Sequence, residues 1–273
     1  MHIRPIEPGD LKILYKFTME EGWITCPAEL ISFLKNSPDG CFVSEIDGQI
    51  VGGIMIFRHR ETAWIGNFIV KYNYRGRGIG TGLFKQALIY LDAVSVKTTY
   101  LCAAPRAVSL YGRYNFKIID KIQRWERVPA PASEKKAAIL DIRSDINFLQ
   151  QLDTRCWGDE RKDLINQLAS ERRHINIPGG YLLYKSADQC LVGPWHGDGL
   201  SNDVNQKILY KLLSQNQFNT IILDSPSNNK IAQSLFLHHR FKQSASNYLM
   251  FRGIKPDVVF SNIFALASFG SKG

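Results

Sequence analysis

No disulfide framework, long apolar run or block of like charge organises this chain. Its five cysteines, Cys26, Cys41, Cys102, Cys156 and Cys190, are scattered and never spaced C-x-x-C. They read as reduced thiols of a cytosolic protein rather than as cross-links or a metal site, and no metal is expected. The N-terminus lacks the apolar segment of a signal peptide, and no apolar stretch reaches the roughly 18 residues of a membrane helix. A cytoplasmic protein without membrane attachment is expected. There is no lysine-rich tail either. The net charge of +9 is spread as +5 over residues 1–128 (17 basic, 12 acidic) and +4 over residues 129–273 (17 basic, 13 acidic). An anionic small molecule accounts for that balance as well as nucleic acid does, and no nucleic-acid partner is expected. With 45% hydrophobic and 22% charged residues in 273, the composition is that of a globular protein and the length suits two modest domains.

What the chain does have is concentrated in residues 64–90. Trp64, Ile65, Phe68, Ile69 and Val70 are aromatic or β-branched and predict a strand. Leu83, Phe84, Ala87, Leu88 and Leu91 recur at helical spacing and predict an amphipathic helix. Between them lie Gly76, Gly78, Gly80 and Gly82, so the strand-to-helix turn is almost free of side chains. Successive backbone N–H groups in such a turn converge on one point, and the helix N-terminus adds partial positive charge. The turn predicts a phosphate or pyrophosphate site, with Arg75 and Arg77 as flanking cations. Neither common phosphate motif fits. There is no G-x-G-x-x-G with an acidic residue on a second strand, and no Gly-Lys-Ser/Thr follows.

Arg75, Gly78 and Gly80 spell R-x-x-G-x-G directly after an aliphatic strand. This resembles the coenzyme A pyrophosphate loop of the GNAT N-acetyltransferase superfamily. A second segment, residues 107–116, resembles that superfamily's A-x-x-L-Y-x-x-x-G-F pattern through Ala107, Leu110, Tyr111 and Phe116. Asn115 stands where the pattern has glycine, which a left-handed helix end tolerates. The element order around these motifs agrees: a strand at 2–6, two helices, a hairpin at 41–58 turning on Asp47-Gly48, the central strand, turn and helix, a strand at 98–102, a short helix and a last strand at 117–128. In the first helix Leu11, Leu14, Tyr15 and Met19 are expected to face inward, and in the second Leu30, Ile31 and Leu34.

Residues 129–136 are rich in proline and small polar residues and read as a linker. Beyond it, residues 232–241 (A-Q-S-L-F-L-H-H-R-F) repeat the pattern of residues 107–116. Helices at 145–156 and 159–170 and strands at 180–185, 189–195 and 220–224 complete a second copy. The copy is degenerate where chemistry would sit. His196-Gly197-Asp198-Gly199-Leu200-Ser201 replaces the phosphate loop, and Phe236 replaces Tyr111. His196 reads as a surface loop histidine. The fold class expected is therefore α/β with a mixed (α+β) sheet, as two tandem GNAT folds, the second degenerate: residues 1–128, the linker 129–136, and residues 137–273. The whole arrangement resembles two-domain bacterial GNAT proteins of the YitH type.

That resemblance implies a reaction and assigns residues to it. Phe68, Ile69 and Val70 would bind the pantetheine and acyl carbonyl, with a backbone N–H of Ile69 or Val70 stabilising the oxyanion. Arg75, Gly76, Arg77, Gly78, Ile79, Gly80 and Thr81 would hold the pyrophosphate. Tyr111 would protonate the departing thiolate. Either Glu20 or Glu21, at the end of the first helix, would accept the proton of the amine, Glu21 being the one assigned; Glu20 would line the acceptor pocket, and Trp23 would line it or pack the helix pair. An amine is mostly protonated at neutral pH, so a base is required, although exposed carboxylates at a helix end are equally ordinary. The implied cosubstrate is acetyl-CoA without a metal. The implied partner is a small-molecule or protein amine, and a monomer is favoured because the tandem domains form an internal pair. The rival reading is a non-catalytic acyl-CoA-binding regulatory protein.

Overall fold

Residues 42–70 alternate apolar runs with the turn residues Asp47 and Gly48, and they fold as an antiparallel meander. In the computed structural model, which describes residues 1–128, 145–186, 189–197, 202–215, 218–270 and 272–273, this meander is β2 (Phe42–Ile46), β3 (Gln49–Arg58) and β4 (Thr62–Val70). The expected linker at 129–136 and the start of the second domain at 137 lie outside the described residues. The chain divides into two compact units, Met1–Leu101 with Gly270–Lys272, and Cys102–Phe269 with Gly273.

In the first unit, β1 (His2–Pro5) joins the free edge of β2, and β5 (Thr98–Ala103) lies parallel to β4, giving the order β1-β2-β3-β4-β5. Three helices cover the sheet: α1 (Leu11–Glu20), α2 (Pro27–Asn36) and α3 (Ile79–Ala93). Two adjacent glycines in β3 show how closely. A Cβ on Gly52 would lie 3.2 Å from Leu83 of α3, and one on Gly53 would lie 2.7 Å from Leu14 of α1. Consecutive strand residues project to opposite faces, so α1 and α3 press on opposite sides of the same strand. The buried stripe of α1 is Leu14, Phe17 and Thr18, at helical spacing, whereas Met19 is 54% exposed against expectation. In α2 the inner residues are Leu30 and Phe33, and Ile31 faces solvent. Near the C-terminus, Lys272 is buried in this unit, its Nζ donating to Ser32 Oγ at 3.0 Å over the rings of Phe33 and Phe57.

The second unit contains α4 (Val108–Gly112), β6 (Lys117–Arg127), α5 (Ile146–Trp157), α6 (Lys162–Glu171), β7 (Arg173–Ile177), β8 (Gly180–Ser186), β9 (Gln189–Gly197), α7 (Asn202–Leu213), β10 (Thr220–Pro226), α8 (Lys230–His238), β11 (Lys242–Gly253) and β12 (Ile263–Ala265). It repeats the plan of the first: an antiparallel meander β7-β8-β9, then β10 parallel to β9. The next strand on β10 is not β11, which follows it in sequence, but β6, with β11 on β6's far edge. Thus α4 and β6, which the sequence assigns to residues 1–128, are built into this unit. Both repeats of the A-x-x-L pattern end alike. Asn115 and Arg240 hold φ of 64° and 61°, and the amides of Phe116 and Phe241 return to the carbonyls of Tyr111 and Phe236. The core gathers Trp125, Tyr184, Trp195, Phe236, Phe241 and Phe264.

Candidate functional site

The turn after β4 is shaped by two glycines and packed by two others. Gly76 and Gly78 hold φ of 77° and 78°, a region that favours glycine. Gly78 is the N-cap residue of α3 and supplies no side-chain cap. The first N–H groups of α3 therefore keep their donors, the intrahelical ladder beginning with Gly82 N–H to Gly78 C=O at 3.0 Å. A Cβ at Gly76 or Gly78 would meet nothing within 4 Å, so the turn is uncrowded at these two positions. Gly80 and Gly82 do something else. A Cβ on Gly80 would lie 3.3 Å from Phe68 Cζ, and one on Gly82 would lie 3.1 Å from Ile3 Cδ1. These two let α3 lie against β4 and β1. An uncapped helix start without an acidic residue in its first turn suits a pyrophosphate.

Upstream of the turn, β4 is open along one edge. Its pairing with β5 covers only Thr62–Trp64, where Trp64 stacks on Tyr100 with ring centres 5.5 Å apart. Among the described residues, the remainder of β4 to Val70 has no ladder partner on that side. On the other edge, the register with β3 slips between Gly53–Ile69 and Met55–Gly66. Asn67 and Phe68 oppose Ile54 alone, a β-bulge, and Asn67 takes φ of 49°.

A cleft of about 180 Å³ lies at the end of β4, lined by Phe17, Glu20, Glu21, Ile69, Val70, Lys71 and Tyr72. It brings Glu20 and Glu21 beside the strand residues Ile69 and Val70. Trp23 is not part of its lining and is 39% exposed. Arg75 takes a role that its motif position does not announce. Its Nε donates to the Val70 carbonyl at 2.9 Å, its Nη2 pairs with Glu21 Oε1, and its guanidinium lies 5.4 Å from the centre of the Tyr72 ring. The guanidinium thus braces the end of α1 against the end of β4. Arg77 lies over the Tyr74 ring at 5.2 Å. Of the two glutamates, Glu20 has the weaker partner, Lys16 at 4.0 Å one helical turn away.

The A-x-x-L-Y helix lies in the second unit. Tyr111 is half-buried and stacks edge-on against Phe116 with ring centres 6.2 Å apart. Burial of the hydroxyl pushes its pKa up to about 12, so it stays a protonated phenol across neutral pH. Cys102 is an inert thiol by the same physics, its pKa raised by burial and by the nearby Asp224 carboxylate. Asp224 in turn accepts two hydrogen bonds from Arg124, at 2.8 and 2.9 Å.

The second copy of the plan is closed where the first is open. β9 and β10 pair only from Gln189–Thr220 to Val192–Leu223. Beyond that point β12 takes the edge of β9, with Ile263 opposite His196 and Ala265 opposite Trp195. The gap that runs along β4 in the first unit is filled along β9 by the chain itself. His196 is no surface residue: it sits on β9 with no exposed area, its Nδ1 2.9 Å from the Tyr181 hydroxyl and 3.6 Å from Asp153, which pairs with buried Arg161. Phe236 is fully buried against Trp125, Trp195 and Phe241. Asp198 and its loop lie outside the described residues.

Residues 10–116 match the model of the Acetyltransferase (GNAT) family. An uncharacterized N-acetyltransferase of Methanocaldococcus jannaschii is 30% identical over 105 residues, 35% of this chain and 46% of the relative, so the chain spans about half the length of the curated relative it matches. A Pyrococcus horikoshii structure assigned to the acetyltransferases superposes with a TM-score of 0.85 at 24% identity, covering 100% of this chain and 95% of its own. A tandem GNAT protein from the clavulanic acid biosynthesis pathway gives a TM-score of 0.66 at 13% identity, covering 92% and 98%. At these identities the structures speak for fold alone. With an uncapped glycine turn behind an open strand, a second unit on the same plan and a family match over residues 10–116, the chain has the fold of the tandem GNAT proteins.

Proposed function

We propose that this protein is an N-acetyltransferase that moves an acetyl group from acetyl-CoA to a primary amine, in the manner of the two-domain proteins of the YitH type. The observation that carries the reading is the continuity of the open edge of β4 with the uncapped start of α3. An extended, amide-bearing chain ending in a pyrophosphate needs a free strand edge and an anion cradle in line, and this unit supplies both. Backbone donors of Arg77 to Thr81 hold the pyrophosphate, and Phe68, Ile69 and Val70 pair with the pantetheine amides as a further strand would. The thioester is the acyl source: the amine nitrogen bonds to its carbonyl carbon, the carbon–sulfur bond breaks, and the sulfur leaves as thiolate.

The acceptor enters by the cleft at Glu20 and Glu21. The carboxylate of Glu21 is engaged by Arg75, so Glu20 is assigned as the proton acceptor and Glu21 as the group that fixes the cleft wall. Tyr111 donates to the leaving sulfur, a role taken from its motif. With Phe236 in Tyr111's place and β12 along β9, the second unit is assigned no chemistry, and one site per chain is proposed. The acceptor is a small-molecule or protein amine, and the monomer is the working form. Release of free thiol from acetyl-CoA is the test, measured with spermidine, lysine and an N-terminal glycyl peptide as acceptors. Amine-dependent thiol release with one of them supports the transferase. Tight acetyl-CoA binding without amine-dependent release would favour the regulatory reading.

A further inference from the structure

Among the described buried polar groups of the first unit that have no hydrogen-bond partner, one lies on the proposed reaction path. Asn67 is 7% exposed, and its side-chain Nδ2 is buried without a partner. A buried amide donor left unpaired is unfavourable, and such groups are rare in folded proteins. The residue also carries a second local cost, since φ of 49° is left-handed and uncommon away from glycine, although asparagine tolerates it better than most. Both features fall on the β-bulge that puts Asn67 and Phe68 opposite Ile54. Bulges re-aim side chains beside functional sites, and strain at one residue points to a role there.

Position along the strand indicates what the donor serves. The pyrophosphate turn follows Val70, so a coenzyme running back along the open edge of β4 passes Val70, Ile69 and Phe68 before it reaches Asn67. Three strand residues span about 10 Å, which places Asn67 toward the acyl end of the pantetheine arm. We propose that Asn67 is a further acyl-positioning residue, its Nδ2 donating a hydrogen bond to the thioester carbonyl oxygen of the bound acyl-coenzyme A. The bond orients the carbonyl toward the incoming amine and strengthens as negative charge builds on the oxygen. This rests on the acetyl-CoA reading of the same site and adds a side-chain contact to it.

The test compares acetyl-CoA with free coenzyme A, which lacks the carbonyl, by calorimetry on the full chain. Asn67→Gly keeps the left-handed backbone while removing the amide, and Asn67→Asp keeps the shape while replacing the donor by an acceptor. In both variants the affinity for coenzyme A is expected to stay within about twofold, while the preference for acetyl-CoA falls by up to about tenfold, the worth of one hydrogen bond. The infrared carbonyl stretch of bound acetyl-CoA should also move to higher frequency in Asn67→Gly. An unchanged preference in Asn67→Gly would mean that the residue serves only the left-handed backbone. Equal weakening of both ligands would mean a loosened strand, and a retained preference in Asn67→Asp would mean that the buried atom accepts from an N–H. Each of these overturns the proposal. Failure of the wild-type chain to bind either ligand would instead overturn the coenzyme reading on which it rests.

Discussion

Leu266 donates its backbone N–H to the carbonyl of Asp224 at 2.8 Å. This bond ties the segment after β12 to β10, while β12 itself pairs with β9. The chain thereby stitches the two strands where an extended ligand would have to enter. Among the described residues, the matching stretch of β4 in the first unit has no such neighbour. Titration with acetyl-CoA should therefore saturate near one equivalent per chain. Two equivalents of comparable affinity would show that β12 gives way and that the second unit binds after all.

Gly78 and Gly80 belong to one motif but answer to different constraints, and their substitutions separate. Gly78→Ala meets no neighbouring atom, yet it places a side chain at φ of 78°, a strain of about 1–2 kcal/mol. It should lower the melting temperature and weaken acetyl-CoA binding, because the donors beside it move. Gly80→Ala lies within α3, where alanine gains about 1 kcal/mol of helix propensity, and its Cβ asks a few tenths of an ångström from Phe68. Its stability should be near that of the wild type. Thermal melts and calorimetry on the pair check this, and equal losses in both variants would contradict the division of labour.

Tyr111→Phe removes one hydroxyl and leaves the edge-on contact with Phe116. With a pKa of about 12 the phenol is a hydrogen-bond donor at neutral pH rather than a strong acid, and the role proposed for it is donation to the developing thiolate. The expected loss is about 10²-fold in kcat, the lower end of general acid catalysis, with KM for acetyl-CoA unchanged. The defect should shrink at alkaline pH, where a free thiolate leaves unaided. A kcat equal to wild type at saturating acetyl-CoA would leave Tyr111 as a packing residue.

His196 makes the second unit sensitive to acid. Burial lowers its pKa from 6.5 to about 4, with Arg161 acting in the same direction and Asp153 opposing. Because the folded value is the lower one, the unfolded chain binds the proton first. Stability is then fully present above about pH 6.5 and is lost as pH falls toward 4. The span corresponds to on the order of 3 kcal/mol. Urea denaturation followed by tryptophan fluorescence should give a midpoint that declines between pH 7 and pH 5. The decline should flatten in His196→Asn. An equal slope in that variant would place the acid sensitivity elsewhere.

The sequence by itself determined the parts whose signal is local. The glycine turn, the hairpin at Asp47-Gly48, the left-handed Asn115 and the repeated A-x-x-L segment each depend on a few adjacent residues, and all could be read directly. The helix faces were read less well: Phe17 and Phe33 took the inner positions expected for Met19 and Ile31, because the buried stripe is set by what the helix packs against and not by its own periodicity. Tertiary structure alone decided the rest. That β6 lies between β10 and β11 depends on pairing across about a hundred residues, to which strand propensity is blind. The brace from Arg75 to Glu21 joins residues 54 positions apart, and nothing in either helix or turn announces it. The bulge at Asn67 arises from a register slip against β3, and the burial of His196 from β12 closing over β9. A pattern of residue types records which face a residue prefers, while only the packed chain settles what stands opposite it.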